Sequence, residues 1–338
     1  MKAAIYRGKG MIEMGSLPPP VAGDRDIVIR NLYASICGTD VAVYRHGPGT
    51  GHRITVGDEF GHEAISRVVQ VGRDVEGIHV GDVVYPYPRL ARGDPRRAGT
   101  PGAFSEYILV PDAQPGRQVY PLDSRIPPRM GCLIEPFTVG CRAARRAAPR
   151  PGEKAIVFGA GTIGIAAAIV LMHFGCSRVL LCDHSDFRLQ IAAKLGFDAV
   201  NTSRVSLDSE AQARLGTAPG LSGPAADADI FIDAAGADGI LETWQQMGKL
   251  FSRMVVVAVR AGMRPVDVLH MTYAQQALIG SGGYMPEDVE TVMRIMAGGR
   301  WDIESLITHE YPWEKLPQAI EKAGDVGEAL NVVIRYDP

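Results

Sequence analysis

The amino-acid sequence predicts an α/β chain of two domains: a small barrel or sandwich of short strands, then a doubly wound parallel sheet. Three observations carry this. At 338 residues the chain is long for one hydrophobic core and suits two. Residues 1–148 are dense in glycine, proline and short β-branched runs, whereas strand and helix patterns alternate from residue 149 onward. A glycine-rich turn, Gly159-Ala160-Gly161-Thr162-Ile163-Gly164, stands where the first of those later strands gives way to a helix.

In the first part, residues 27–32, 64–71, 82–85 and 105–110 each read as a strand between turn signals. Short strands at that spacing favour a barrel or sandwich over helices. The stretch 143–152, AARRAAPRPG, changes the texture, and its prolines mark a boundary. Beyond it, 154–158 reads as an apolar strand, 162–174 as an unbroken helix, 178–182 as a strand and 186–195 as a helix. Residues 198–201, 228–233 and 254–259 are further strands, and 204–226 is a polar, loop-rich stretch with room for one short helix. Repeated strand–helix–strand units call for a parallel sheet covered on both faces. This second domain is placed at 149–282. The tail, 283–338, holds helices at 287–297 and 315–323 and a last strand at 330–335; it is too small to stand alone and is expected to return to the first domain.

Composition narrows the function classes. With 46% hydrophobic and 22% charged residues and a net charge of −3, the chain has no electrostatic footprint for nucleic acid or an anionic membrane. No apolar run opens it as a signal peptide, and its richest apolar stretch, 165–172, is too short to span a bilayer. Five scattered cysteines, Cys37, Cys132, Cys141, Cys176 and Cys182, form no disulfide framework, so a reducing cytoplasm is expected.

Two constellations carry chemistry. In the glycine-rich turn, Gly159 permits the tight bend, Gly161 lets the backbone approach a pyrophosphate, and Gly164 lets helix and strand pack closely. The helix N-terminus offers its free N–H groups to the phosphates. Asp183, ending the next strand, stands where a carboxylate accepts the adenosine ribose hydroxyls and repels a 2′-phosphate, which favours NAD over NADP. The plain alternative is a glycine-rich turn with no cofactor.

The second constellation is Cys37-Gly38-Thr39-Asp40 followed by Gly57-Asp58-Glu59-Phe60-Gly61-His62-Glu63. Zinc takes sulfur, nitrogen and oxygen ligands, and a catalytic site keeps one position open. Cys37 offers a thiolate, His62 an imidazole, and Glu63 or Glu135 a carboxylate. Asp40 suits an outer role, holding the far nitrogen of His62. Singly, each residue is more often structural; together, ahead of the dinucleotide turn, they point to one zinc ion and hydride transfer at an alcohol carbon.

The order Cys37-Gly-Thr-Asp, Gly61-His62-Glu63, Glu135-Pro136 and GAGTIG resembles the medium-chain zinc alcohol dehydrogenase superfamily. Ile134-Glu135-Pro136-Phe137-Thr138-Val139-Gly140 is similar to the sorbitol, threonine, butanediol and sugar dehydrogenases, which carry a glutamate where animal and plant alcohol dehydrogenases have a third zinc cysteine. Leu306-Ile307-Thr308-His309 matches a family segment as well. The resemblance covers almost the whole chain. It implies a GroES-like β-barrel catalytic domain that includes the tail, with a Rossmann domain between. It also implies that Cys37 and His62 bind zinc, with Glu63 and Glu135 competing for the remaining protein position. Thr39 would hydrogen-bond the reacting hydroxyl and Thr138 would lie near the nicotinamide. The expected cofactor set is Thr138, Gly159, Gly161, Thr162, Ile163, Gly164, Asp183 and Arg188. Relatives form dimers or tetramers, so a homo-oligomer is expected.

The chain departs from the family in three places. The interval 86–101, where many relatives place four cysteines of a structural zinc, has none here, so one metal per chain is expected. Its arginines, Arg89, Arg92, Arg96 and Arg97, read as a solvated loop. The family's relay histidine is replaced by Ala42; His46 would substitute only if its loop folded inward and is read instead as a surface residue, and Thr39, the ribose and water offer another route. Asp58 and Glu59 stand where apolar residues are usual. Either they receive polar substrate groups or, the preferred reading, they pair with Arg53 or another arginine.

The reaction expected is reversible oxidation of a secondary alcohol, a polyol, sugar, cyclitol or amino alcohol, to its ketone. The competing readings are a zinc-free NADPH quinone or enone reductase, and a non-catalytic dinucleotide-binding protein. A variant enzyme recycling tightly held NAD within one isomerisation or elimination cycle is a third.

Overall fold

The computed structural model describes residues 1–91, 100–260 and 262–337. Of the arginine cluster, Arg89 is exposed, and Arg92, Arg96 and Arg97 lie outside the described residues. The chain forms two compact units, Met1–Glu135 with Met296–Pro338, and Pro136–Ile295. Both divides fall inside helices, Ile134–Arg146 and Pro286–Ala297, whereas composition set the boundaries at 148/149 and 282/283. A continuous helix carries no compositional mark where its surroundings change.

The first unit is built on a seven-stranded sheet. The order along it is Ile307–Pro312, Asn331–Arg335, Ile27–Ser35, Glu63–Val71, Val83–Pro86 and Val119–Pro121, with Tyr107–Val110 pairing Ile27–Ser35. The tail strand Asn331–Arg335 runs antiparallel to Ile27–Ser35, so residues beyond 296 complete this sheet. The core gathers Tyr6, Phe60, Phe104, Ile27, Ile29 and Trp313. Several elements went unread in the sequence, among them the strand Ile307–Pro312, the hairpin of Lys2–Gly8 with Met11–Ser16, and the helix Gly38–His46. That helix opens on the metal candidates, where glycine and a thiol mask an ordinary helix start.

The second unit is a six-stranded, all-parallel sheet. Its order is Asp198–Asn201, Arg178–Asp183, Lys154–Phe158, Ile230–Asp233, Arg253–Val256 and Ala277–Gly280. The strand order reverses direction at the central Lys154–Phe158, and ligands bind such sheets at the carboxyl ends of the strands beside that point. The following helix, Thr162–His173, is buried from Gly164 to Leu171, as an almost wholly apolar helix must be. The polar stretch 204–226 holds the helix Leu207–Leu215 and a small hairpin, Thr217–Pro219 with Pro224–Ala226. No helix among the described residues is long and apolar enough to cross a membrane.

Candidate metal centre and dinucleotide turn

Strand register assembles the metal candidates. Ser35 pairs with Glu63 and Ala34 with Ala64 at the ends of two antiparallel strands. Cys37 follows the end of the first strand and His62 precedes the start of the second, so pairing alone draws them together. Ligand atoms of Cys37, His62 and Glu63 all lie within 4.8 Å of one another. Glu135 is buried in the first turn of Ile134–Arg146 and stands outside that group, although its charge acts on His62.

Gly61 sets the approach of His62. Its φ is +88°, and an ideal Cβ there would lie 2.7 Å from the buried Phe104 ring. Its carbonyl accepts from the Ala103 N–H at 2.9 Å and from Thr100 Oγ1 at 2.7 Å. Asp40, fully buried, holds the other ligand strand: its Oδ2 accepts from the Cys37 N–H at 3.0 Å. Its Oδ1 faces His62 Nδ1 at 3.6 Å, an electrostatic contact longer than a hydrogen bond.

His52, which the sequence reading passed over, joins this cluster. Its Nδ1 lies 3.4 Å from Asp40 Oδ1 and 3.3 Å from Thr39 Oγ1, and its ring meets that of His62 edge to face at 5.4 Å. Nothing local marks a lone histidine in a glycine-rich loop. His46 is exposed and takes no part. Asp58 turns to its own loop, accepting from the Thr55 N–H at 2.9 Å, while Glu59 is buried. Asp58 therefore has a third role, closing a turn, that neither substrate nor arginine pairing anticipated.

The charges in this pocket are poorly balanced by the side chains alone. Burial, helped by Glu63, pushes the Cys37 thiol up to about 11 against the pull of His62. Burial lifts Asp40 to about 6 and raises Glu63. Burial opposes charge on His62, yet Asp40 and Cys37 outweigh it and hold the imidazole well above its usual range. Burial and the neighbouring His62 press His52 down to about 4. Glu63 Oε2 and His62 Nδ1 are buried without a hydrogen-bond partner among the described residues. Buried polar atoms are rarely left so. A thiol, an imidazole and an open carboxylate oxygen fit a zinc ion, whose charge would reverse the pKa logic of the pocket.

In the second unit the glycine turn follows Lys154–Phe158. Gly159 has φ +99°, and a side chain at Gly164 would collide with the Gly159 carbonyl. Gly161 caps the helix N-terminus, with Thr162 and Ile163 half-buried on its first turn. Asp183 accepts from the N–H groups of Ala160 at 2.8 Å, His184 at 2.7 Å and Ser185 at 2.9 Å. It thus braces the turn itself, a role the sequence reading did not foresee. Arg188 lies against Gly161, its Nε buried and without a hydrogen-bond partner among the described residues; burial lowers its pKa and Asp183 opposes this. Thr138 is fully buried on Ile134–Arg146.

One unit thus holds a donor cluster suited to a metal, and the other a dinucleotide-type turn. Residues 162–298 match the family described as zinc-binding dehydrogenase, and 23–123 the alcohol dehydrogenase GroES-like domain. L-threonine 3-dehydrogenase of Edwardsiella ictaluri is 29% identical over 340 residues, covering 94% of this chain and 95% of that protein. 2-Dehydro-3-deoxy-L-galactonate 5-dehydrogenase of Pseudoalteromonas atlantica is 28% identical, covering 99% and 98%. The crystal structure of 2R,3R-butanediol dehydrogenase from Bacillus subtilis superposes with a TM-score of 0.85 at 22% identity, covering 99% of each chain. The chain belongs to the medium-chain zinc alcohol dehydrogenase superfamily, with its GroES-like domain and Rossmann-type sheet.

Proposed function

We propose that this protein is a zinc- and NAD-dependent dehydrogenase that interconverts a polar secondary alcohol and its ketone. The observation that carries the reading is the convergence of Cys37, His62 and Glu63, with a buried carboxylate oxygen left open, in a chain of this superfamily. Cys37, His62 and Glu63 would hold the metal, with Glu135 as the alternative carboxylate. When bound, zinc supplies Lewis acidity toward an alcohol oxygen and the nicotinamide accepts the hydride. Thr39 orients the substrate hydroxyl, and Asp40 keeps Cys37 and His62 in place. Gly159, Gly161 and Gly164 admit the pyrophosphate to the helix N-terminus, with Arg188 beside it. Thr138 would face the nicotinamide, and Asp183 supports NAD over NADP by its charge.

Polyols, sugars, cyclitols and amino alcohols are the substrate classes proposed; the polar groups around the metal candidates support them over a plain aliphatic alcohol. A homodimer or homotetramer is the proposed assembly. The exposed Val259, Met263, Val268, Leu269 and Tyr273, which precede the edge strand Ala277–Gly280, support it. Five unpaired thiols agree with a cytoplasmic setting. The test is NADH release from a panel of these alcohols, with and without chelator. Chelation should abolish turnover, and Cys37→Ala should lose both metal and activity. Turnover on none of the panel, or full activity in Cys37→Ala, would sink the reading.

A further inference from the structure

Ala42 leaves the metal candidates without the histidine that the family resemblance expects on Gly38–His46. The structure brings a different one from the loop after that helix. This loop is tied back to the helix: the Thr50 hydroxyl shares its one proton between the Ala42 carbonyl at 2.9 Å and the Gly47 carbonyl at 2.7 Å. Gly51 rests on the Thr39 backbone so closely that any Cβ would strike the Thr39 carbonyl oxygen. The next residue, His52, is thereby delivered with Nδ1 at 3.3 Å from Thr39 Oγ1 and 3.4 Å from Asp40 Oδ1.

We propose that His52 is a positioning residue that fixes the rotamer of the Thr39 hydroxyl at the active centre, through a contact made by Nδ1. The role rests on the dehydrogenase reading, in which Thr39 meets the reacting hydroxyl. Thr39 is only half-buried and can turn its hydroxyl among staggered rotamers; an imidazole nitrogen within hydrogen-bond reach selects one. Asp40 Oδ1 is close to both His52 and His62, so a single buried carboxylate sets the hydroxyl holder and a metal candidate in the same frame.

The contact is specific to Nδ1, which separates it from mere packing. The amide of asparagine occupies the place of Nδ1, whereas that of glutamine reaches toward Nε2. His52→Ala is expected to lower kcat about tenfold with KM little changed, the loss of roughly one hydrogen bond in the transition state. His52→Asn should recover most of that loss and His52→Gln should not. In a Thr39→Val background, His52→Ala should cost nothing further. Gly51→Ala, which lifts the loop off Thr39, should reproduce His52→Ala. Zinc content should stay at the unaltered level in the His52 variants. Independently of turnover, the imidazole ¹⁵N resonance of His52 Nδ1 in the zinc-loaded protein should move in Thr39→Val. An unmoved resonance, equal activity of the alanine and asparagine variants, or additive losses in the double variant would each overturn the proposal. Absence of turnover in the unaltered protein would instead overturn the dehydrogenase reading, and the resonance would still decide the contact.

Discussion

Gly61→Ala tests how the fold aims His62. At φ +88° a residue with a Cβ sits in the left-handed region, which costs about 1–2 kcal/mol. The new methyl would also lie 2.7 Å from two atoms of the Phe104 ring. That ring cannot easily yield, because it is fully buried and packs edge to face on Phe60 with centroids 5.0 Å apart. Overpacking of this kind costs about 1–3 kcal/mol. Together the terms come to roughly 2–5 kcal/mol, and a unit of this size loses about 2–4 °C of Tm per kcal/mol, so a fall on the order of 10 °C is expected. Moving the 60–62 backbone also breaks the bonds from Ala103 and Thr100 to the Gly61 carbonyl and displaces His62. Thermal unfolding by circular dichroism, paired with zinc analysis by mass spectrometry, reads both effects. A variant with unchanged Tm and one tightly held zinc per chain would refute this account of Gly61.

Three further outcomes follow from the second unit. Gly164→Ala should abolish NADH binding, measured by fluorescence enhancement, because its Cβ meets the Gly159 carbonyl and must spread the turn; undiminished affinity would contradict that geometry. Asp183→Ala should weaken NADH, since the turn loses its bond to the Ala160 N–H, and should raise the NADPH-to-NADH affinity ratio about tenfold; an unchanged ratio would remove Asp183 from cofactor choice. Asp227 gives a pH signature. Burial raises its pKa, but hydrogen bonds from Lys154 and Lys249, each at 2.6 Å, outweigh this and hold it below its usual value. A carboxyl depressed in the folded state contributes stability above its unfolded pKa, and that stability is lost as pH falls through the folded one. Tm should therefore drop below about pH 4 less steeply in Asp227→Asn than in the unaltered protein, and parallel curves would argue against the linkage.

Much of this was legible in the chain itself. The second unit's strands at 154–158 and 198–201 appear at the expected residues; the first is a short apolar run, as a buried central parallel strand must be, whereas the edge strand Asp198–Asn201 buries only Val200. The glycine turn was legible because two of its positions admit only glycine, Gly159 by its φ and Gly164 by its approach to the Gly159 carbonyl. Gly38–His46 was not, since its polar, glycine-started sequence shows no apolar stripe, and its cap is made by Asp40 reaching back to the Cys37 N–H.

Sequence alone determined the kinds of donor, Cys37, His62, Glu63, Glu135 and Asp40, and the class of sheet that follows them. Side-chain chemistry and periodicity are properties of residues and short windows. Tertiary structure decided which donors meet. The pairing of Ser35 with Glu63 places Glu63 beside Cys37 and His62 and leaves Glu135 outside the group. Tertiary structure also turned Asp58 to its own loop, bound Asp183 to the glycine turn as well as setting it where a ribose was expected, and brought His52 to Thr39 and Asp40. Apart from the local turn at Asp58, those contacts depend on strand register and loop closure between residues well apart in the chain, and no local pattern encodes a distance of that kind.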